Sequence, residues 1–165
     1  QMDAGMDTGP IWVQRNFDIP SGFTSPELFD ALAKLGVDAI KESLVKIKRG
    51  DSPAAQNGSA SVAAKVSKEE CRIDWNSSAF EILQKIAAFS FNPGVYSFIR
   101  GEQIKISQAK LTDSKLKPGE LSPAGLVGTN DCALQLVQVT PAGKKTMSAK
   151  DWLNGSKVQS GEFFE

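Results

Sequence analysis

The sequence of 165 residues predicts two differently built halves: an α/β half with one strand and one long helix, then an all-β barrel with short helices. Apolar residues recur at helical spacing before residue 50 and alternate at strand spacing after residue 94. Between these patterns, residues 51–61 contain no large apolar side chain. We therefore predict domains at residues 1–50 and 68–165, joined by a linker at residues 51–67.

The composition excludes several classes of chemistry. The formal net charge is zero, 41% of residues are hydrophobic, and there is no histidine, so this chain cannot supply a histidine base or histidine metal ligand. No apolar run approaches the roughly 20 residues of a membrane-spanning helix. Cys71 and Cys132 lie far apart and form no metal or disulfide pattern. We predict a cytoplasmic or organellar-matrix monomer with no metal and no membrane partner.

The first segment is a glycine-punctuated loop followed by a short strand. Gly5 and Gly9 flank a loop that carries Asp3 and Asp7. One interpretation is a turn whose aspartates satisfy local amides, which the local pattern favours; the other is a carboxylate held where backbone amides also reach a ligand. The strand is predicted from alternating apolar residues, namely Ile11, Val13, Phe17 and Ile19.

A helix is predicted next. Ser25 suits the N-cap, Pro26 the first helical position, and a basic cluster before Gly50 the C-terminus. Gly36 either ends a first helix or weakens one long helix. The apolar stripe that should pack on a neighbouring layer consists of Leu28, Leu32, Leu35, Ile40, Leu44 and Ile47.

The second half begins with another helix and then changes to strand spacing. Ser78 and Glu81 have the spacing of a capping box. The apolar face of this helix is formed by Phe80 or Ala79, with Ile82, Leu83, Ile86 and Phe89. Asn92-Pro93-Gly94 then turns the chain into a hairpin with its tip at Arg100-Gly101, and residues 126–129 and 133–140 make further strands. Residues 148–155 form a short final helix, so we expect a small barrel.

Basic residues concentrate in two segments of the predicted barrel. Arg100, Lys105, Lys110, Lys115 and Lys117 face only Glu102 and Asp113, and Lys144, Lys145, Lys150 and Lys157 face only Asp151. Such segments suit contacts along a phosphate backbone, and a solvated surface explains them equally well. Tyr96 and Phe98 could stack on bases, although core packing is the more frequent use of such residues.

Several motifs in one order resemble those of the methionyl-tRNA formyltransferase family. They are MDAGMDTGP at residues 2–10, LAKLG at 32–36, KVSKEECRIDW at 65–75, AFSFNPG at 88–94, IKI at 104–106 and PAGKKTMSAKDWLNG at 141–155. The resemblance covers nearly the whole chain. It also implies a further N-terminal portion that holds a catalytic asparagine and histidine, in agreement with a sequence that lacks histidine and begins with Gln1.

The resemblance implies a fold and a reaction. The first half would be the remnant of a Rossmann-like formyltransferase domain, and the second an oligonucleotide-binding-like (OB-like) barrel. The family transfers a formyl group from 10-formyltetrahydrofolate to the α-amino group of initiator methionyl-tRNA. The catalytic aspartate of the family falls on Asp7, and the folate-binding loop falls on Gly5, Asp7, Thr8 and Gly9.

The resemblance also suggests where initiator tRNA is bound. The expected phosphate contacts are Lys65 in the linker and Arg100, Lys105, Lys110, Lys144 and Lys145 on the barrel. We expect the chain alone to be inactive, since the partners of Asp7 would lie elsewhere. Two alternatives stay open: a relative that formylates an amino sugar or hydrolyses formyl-folate, and a stand-alone RNA-binding module.

Overall fold

The structure is a computed structural model that describes residues 1–90 and 92–165. Phe91, part of the motif at residues 88–94, lies outside the described residues. Packing divides the chain into two compact units. Unit 1 comprises Gln1–Pro20 and Glu27–Lys65, and unit 2 comprises Ser21–Pro26 and Val66–Glu165.

Helix α1, Ser25–Arg49, dominates unit 1. It runs without interruption through Gly36, so one long helix is formed and not two. Glu27 lies in its first turn, and Lys46, Lys48 and Arg49 lie in its last turn, which matches the helix dipole at both ends. Gly50 follows with a φ of 79°, the left-handed conformation that commonly ends a helix.

The apolar stripe of α1 is not covered by the described part of the chain. Among those residues, none in α1 is buried. Leu32 is 44% exposed, Ile40 63% and Leu44 60%. An amphipathic helix normally buries such a face against another layer of the protein. The described residues provide no layer that buries this face of α1.

The strand predicted at residues 11–19 was wrong. Ile11 and Ala54 form an isolated antiparallel bridge, in which Ile11 N donates to Ala54 O at 2.7 Å and Ala54 N to Ile11 O at 2.9 Å. Alternating apolar residues become a strand only when another strand lies beside them to satisfy the backbone groups. Unit 1 provides no such ladder within its described residues.

Unit 2 is built on a curled antiparallel sheet. Its described residues form seven strands: β1 Val95–Ile99, β2 Glu102–Thr112, β3 Glu120–Leu121, β4 Leu126–Gly128, β5 Ala133–Pro141, β6 Met147–Ser148 and β7 Glu162–Phe163. The order is β1-β2-β5-β4-β3-β7, with β6 paired to β5. A hydrogen bond of 2.8 Å from Glu165 N to Phe98 O joins the chain after β7 to β1 and curls the sheet towards a barrel. The prediction of a small, strand-rich second half is thus confirmed, in the form of a curled antiparallel sheet.

The β1–β2 hairpin formed where the sequence predicted it. Ile99 pairs with Glu102, which leaves Arg100 and Gly101 as a two-residue loop. Their φ angles of 53° and 75° are those of the turn whose twist matches a hairpin. Val95, Ser97 and Ile99 are buried, so the intervening Tyr96 and Phe98 face outward.

Two short helices and a 3₁₀ turn complete unit 2. The turn is Glu69–Cys71, α2 is Ala79–Ala88 and α3 is Ala149–Ser156. Helix α2 buries Ala79, Ile82 and Ile86 against the sheet, whereas Phe80 is 59% exposed, so Ala79 is the face residue. The Ser78/Glu81 capping box is confirmed. In the described chain, no helix is long and apolar enough to cross a membrane.

Candidate catalytic loop and basic barrel surface

The loop before Ile11 is held together by Asp3. Its Oδ1 accepts the Gly5 backbone N–H at 3.0 Å and the Thr8 hydroxyl at 2.7 Å. For Asp3, the prediction that the loop aspartates satisfy local amides is therefore confirmed. The polar groups of Gly5 and Thr8 are used inside the loop, so they shape it from within.

Asp7 has a different role in the same loop. Gln56 Nε2 donates to the backbone carbonyls of Asp7 at 2.8 Å and Gly9 at 2.7 Å. Asp7 adopts a φ of 55°, and within residues 1–90 and 92–165 its carboxylate forms no hydrogen bond. The side chain is exposed and lines an open cleft with Asp3, Gly9 and Gln56.

Gln56 fixes the backbone on both sides of Thr8 and so presents the Asp7 carboxylate to solvent. Sequence reasoning missed this contribution, because Gln56 lies in a polar segment 49 residues after Asp7. Gly9 is also required sterically, since a Cβ atom there would lie 1.8 Å from the Gln1 carbonyl oxygen.

On the barrel, three of the predicted tRNA contacts lie near one another. Lys105 is exposed in β2, where it pairs with Tyr96 of β1 and Thr140 of β5. After β5, Ala142 N donates to Gln103 O at 3.1 Å, and Lys144 N to Pro141 O at 3.0 Å. This turn sets exposed Lys144 and Lys145 beside the β2 segment that contains Lys105.

Lys110 lies apart from this group, and Lys65 belongs to the other unit. Lys110 is exposed further along β2, on the order of 15 Å from Lys105 at the usual rise per residue. Lys65 is the exposed last residue of unit 1. In the described part of the chain, no acidic group forms an ion pair with any of these five lysines.

Arg100 is committed to contacts within the chain. Its Nε and Nη2 donate to the two carboxylate oxygens of Glu162 at 2.6 and 2.5 Å, and its Nη1 donates to Ser156 O at 2.9 Å. Hydrogen bonding to Glu162 raises the pKa of Arg100, and the same contact lowers the pKa of Glu162. These bonds hold the hairpin tip against β7 and the end of α3. Sequence reasoning missed this pair, because Glu162 lies 62 residues away.

The two cysteines show no sign of reactivity. Burial raises the pKa of the Cys71 thiol, and burial together with Asp131 raises the pKa of the Cys132 thiol, which disfavours the thiolate in both. Among the described residues, no three His, Cys, Asp or Glu side chains come together in a metal-binding arrangement.

Comparison with known proteins assigns the chain to a family. Residues 65–157 match the family model described as formyl transferase, C-terminal domain. The chain belongs to this family. The matched segment begins at Lys65 and includes the basic turn after β5 and all of α3.

Curated relatives match the whole length of the chain. A methionyl-tRNA formyltransferase of Carboxydothermus hydrogenoformans is 38% identical over 172 residues, covering 99% of this chain and 56% of the relative. One from Jannaschia sp. is 31% identical over 165 residues, covering 100% of this chain and 55% of the relative. The chain therefore spans about half the length of the curated relatives it matches.

A solved structure shares the fold. HypX from Aquifex aeolicus, determined in complex with tetrahydrofolic acid, superposes with a TM-score of 0.75 at 21% identity. The match covers 99% of this chain and 32% of HypX. At that identity, the likeness describes the fold.

Proposed function

We propose that this chain forms the C-terminal half of a methionyl-tRNA formyltransferase. The observation that carries the proposal is the match of 96–100% of the chain, in a single alignment, to relatives of that name at 31–38% identity. The reaction would transfer a formyl group from 10-formyltetrahydrofolate to the α-amino group of initiator methionyl-tRNA.

The proposed division of labour follows the sequence. Residues 1–50 would belong to a Rossmann-like catalytic domain, residues 51–67 would be the linker, and residues 68–165 would form an OB-like tRNA-binding domain. The uncovered apolar face of α1 supports the first assignment, because helices that flank a sheet present such a face. Residues 59–66 contain no helix or strand, which suits a connection.

Asp7 would assist the proton transfers of the reaction. An amine attacks a formyl carbon only in its neutral form, so a proton must be accepted and moved away from the nitrogen. A carboxylate can orient a proton-relaying water or keep a neighbouring imidazole charged. The imidazole would come from outside these 165 residues, because this sequence has no histidine. Gln56 would keep Asp7 in position through the loop backbone.

The loop has features that fit a folate co-substrate. When bound, 10-formyltetrahydrofolate supplies the activated formyl group. Its pteridine ring has an edge of hydrogen-bond donors, and the Asp7 carboxylate is an exposed acceptor beside an open cleft. Gly5 and Gly9 would let the loop take the tight shape that brings its backbone to the folate, since a Cβ atom at either position would meet Thr8 or Gln1, and Thr8 would support the loop through Asp3.

Initiator tRNA would be bound electrostatically by the barrel. Lys105, Lys144 and Lys145 would contact neighbouring phosphates, Lys110 would extend the contact along β2, and Lys65 would act in the linker. Arg100 was also predicted as a contact, and its ion pair with Glu162 makes it the weakest member of the set. The cluster of three lysines is the observation that supports this surface.

The test is filter binding of initiator tRNA to the 165-residue chain over a range of salt concentrations. K144A/K145A should bind more weakly, and its slope of log K against log salt should be smaller in magnitude by about 1 to 2. The matched control K48A/R49A removes two positive charges from the exposed end of α1 and should leave the slope unchanged. Equal affinities and slopes for wild type and K144A/K145A would contradict the proposed surface.

A further inference from the structure

Two aromatic rings lie on the outer face of β1 without belonging to the core. The Tyr96 and Phe98 ring centroids are 5.6 Å apart with an interplanar angle of 88°. Both side chains are only partly buried, and neither packs against the hydrophobic core cluster that Val95 and Ile99 of the same strand join. The barrel thus presents a pair of large rings that its own folding does not require on that side.

Arg72 covers one of these rings with a planar cation. Ile73 N donates to Tyr96 O at 2.9 Å, which fixes Arg72 alongside β1, and the Arg72 guanidinium carbon lies 5.5 Å from the Phe98 ring centroid. Arg72 is exposed, and among the described residues its guanidinium forms no ion pair or hydrogen bond. The guanidinium lies over the Phe98 ring in a cation–π contact, and its hydrogen-bond donors remain available.

Two lysines flank the aromatic pair. Lys105 is the direct cross-strand partner of Tyr96, and its Nζ donates to Pro93 O at 3.0 Å. Lys85 Nζ donates to the Arg72 backbone carbonyl at 3.0 Å. Neither lysine has an acidic partner within ion-pair distance in the described part of the chain. Lys85 and Lys105 therefore border the Arg72 guanidinium and an aromatic pair whose two rings stand at right angles to each other.

We propose that Arg72, Tyr96 and Phe98 form a stacking site for an unpaired nucleotide of RNA, with Lys85 and Lys105 contacting the adjacent phosphates. Aromatic rings and guanidinium planes bind the faces of bases, and only unpaired bases expose their faces. The negative backbone next to such a base complements the two lysines. This inference rests on the proposed function, since it assumes that the partner of the barrel is RNA, and it adds a subsite to the lysine surface.

The alternative is that Arg72 and Phe98 only attach the 3₁₀ turn to β1. The two interpretations differ in which variants lose RNA binding. F98L retains an apolar side chain but removes the aromatic face, and R72K retains the charge but removes the plane. F80L is the matched control, because Phe80 is an exposed aromatic residue in α2, outside the face of that helix that packs on the sheet.

The experiment uses the 165-residue chain and two RNA hairpins. One hairpin is blunt, and the other carries a single-stranded 3′ overhang of about four nucleotides, a length suited to a small barrel. The overhang contains 2-aminopurine, whose fluorescence is quenched when it stacks. Wild type should bind the overhang hairpin more tightly than the blunt one and quench the fluorophore.

The variants should separate stacking from charge. F98L and R72K should bind the overhang hairpin about 5- to 150-fold more weakly than wild type, as expected for the loss of one base stack, and should bind the blunt hairpin as wild type does. F80L should behave as wild type with both hairpins. Unfolding curves of each variant establish that the barrel is intact.

Three results would overturn the inference, and they can be told apart. If wild type binds both hairpins equally without quenching, there is no stacking site, while the proposed RNA-binding lysines still stand. If wild type binds neither hairpin nor initiator tRNA, the RNA-binding part of the proposed function fails together with the inference. Unchanged overhang binding by both F98L and R72K would also assign these residues a purely structural role.

Discussion

Ser97 is a fully buried polar residue that connects three parts of the barrel. Its Oγ accepts the Trp75 Nε1–H at 2.9 Å and donates to Glu165 O at 2.8 Å. Trp75 in turn stacks on Phe164, with ring centroids 5.4 Å apart. A buried indole N–H needs an acceptor, so a serine on the inward face of β1 is required by the tryptophan that packs over it.

We predict that S97A lowers the free energy of unfolding by about 1–3 kcal/mol, because the Trp75 N–H loses its acceptor in a dry site. Urea denaturation followed by tryptophan fluorescence measures the change. S107A is the control, since the Ser107 side chain in β2 is partly exposed and its hydroxyl forms no hydrogen bond within residues 1–90 and 92–165; we expect a change below about 0.5 kcal/mol. An S97A variant as stable as S107A would show that the bonds to Ser97 add nothing.

Arg100 illustrates how a tertiary contact can override a local preference. Its φ of 53° belongs to a region that asparagine, aspartate and glycine favour, yet arginine occupies it at the hairpin tip. The bidentate contact with Glu162 explains the choice, because a shorter side chain could not span to β7. From the sequence, Arg100 was predicted to contact tRNA because it is a basic residue in a turn. In the fold, its guanidinium is paired with Glu162 of the same chain.

Two independent sets of side chains cap the N-terminus of helix α2. Ser78 and Glu81 form the local capping box, and Asp131 Oδ1 accepts the Ala79 N–H at 2.9 Å from 52 residues away. Asp131 Oδ1 also accepts the Thr129 hydroxyl at 2.8 Å. These donors favour the ionised carboxylate and lower the pKa of Asp131, with the Ala79 backbone N–H as the largest cause.

The lowered pKa of Asp131 predicts an acid-sensitive contribution to stability. Because the folded-state pKa lies below the ordinary value of 3.8, the contribution is fully present above pH 3.8 and is lost as the pH falls through the folded-state value. D131N cannot ionise, so wild type should exceed D131N in stability at neutral pH, and the difference should shrink as the pH falls below 3.8.

Thermal unfolding at a series of pH values measures this difference. The control is N130A, at the adjacent exposed position, which changes no ionisable group and should differ from wild type by the same amount at every pH. A constant gap between wild type and D131N down to strongly acidic pH would contradict the role assigned to the Asp131 carboxylate.

The predicted and observed elements differ most where the information is not local. The hairpin, β5, α2 and α3 could be predicted because their periodicity, turn residues and caps are adjacent in sequence. Strands β3, β6 and β7 have two residues each, too few to show alternation, and they exist because β4, β5 and β3 offer them partners. Residues 11–19 show the converse, because alternation alone produced no strand.

The candidate sites, like the short strands, depend on contacts between residues that are distant in sequence. Asp7 and the lysines could be selected as residue types in motifs, but their surroundings could not. Gln56 supports the Asp7 loop from 49 residues away, and Glu162 pairs with Arg100 from 62 residues away. The juxtaposition of Lys105 with Tyr96 required the strand register. Sequence proposed the candidate residues, and the fold showed which of their polar groups are already paired within the chain.

The two units should differ widely in protection from hydrogen exchange. Within the described part of the chain, no residue from Gln1 to Lys65 is buried, whereas β2 and β5 are paired at the centre of the unit 2 sheet. Isolated helices gain little stability without packing, so α1 should open by local unfolding. We predict that α1 amides exchange at least about 1,000-fold faster than those of β5, whose opening requires global unfolding at roughly 5–15 kcal/mol.

Hydrogen exchange followed by mass spectrometry on the 165-residue chain measures both units in one sample, so β5 serves as an internal reference. The measurement should be repeated across protein concentrations, because association through the exposed Phe29, Ile40 and Leu44 would raise the protection of α1 with concentration. Concentration-independent protection of α1 equal to that of β5 would mean that the apolar stripe is already covered within one chain. That result would contradict the assignment of α1 as a helix that needs a further layer.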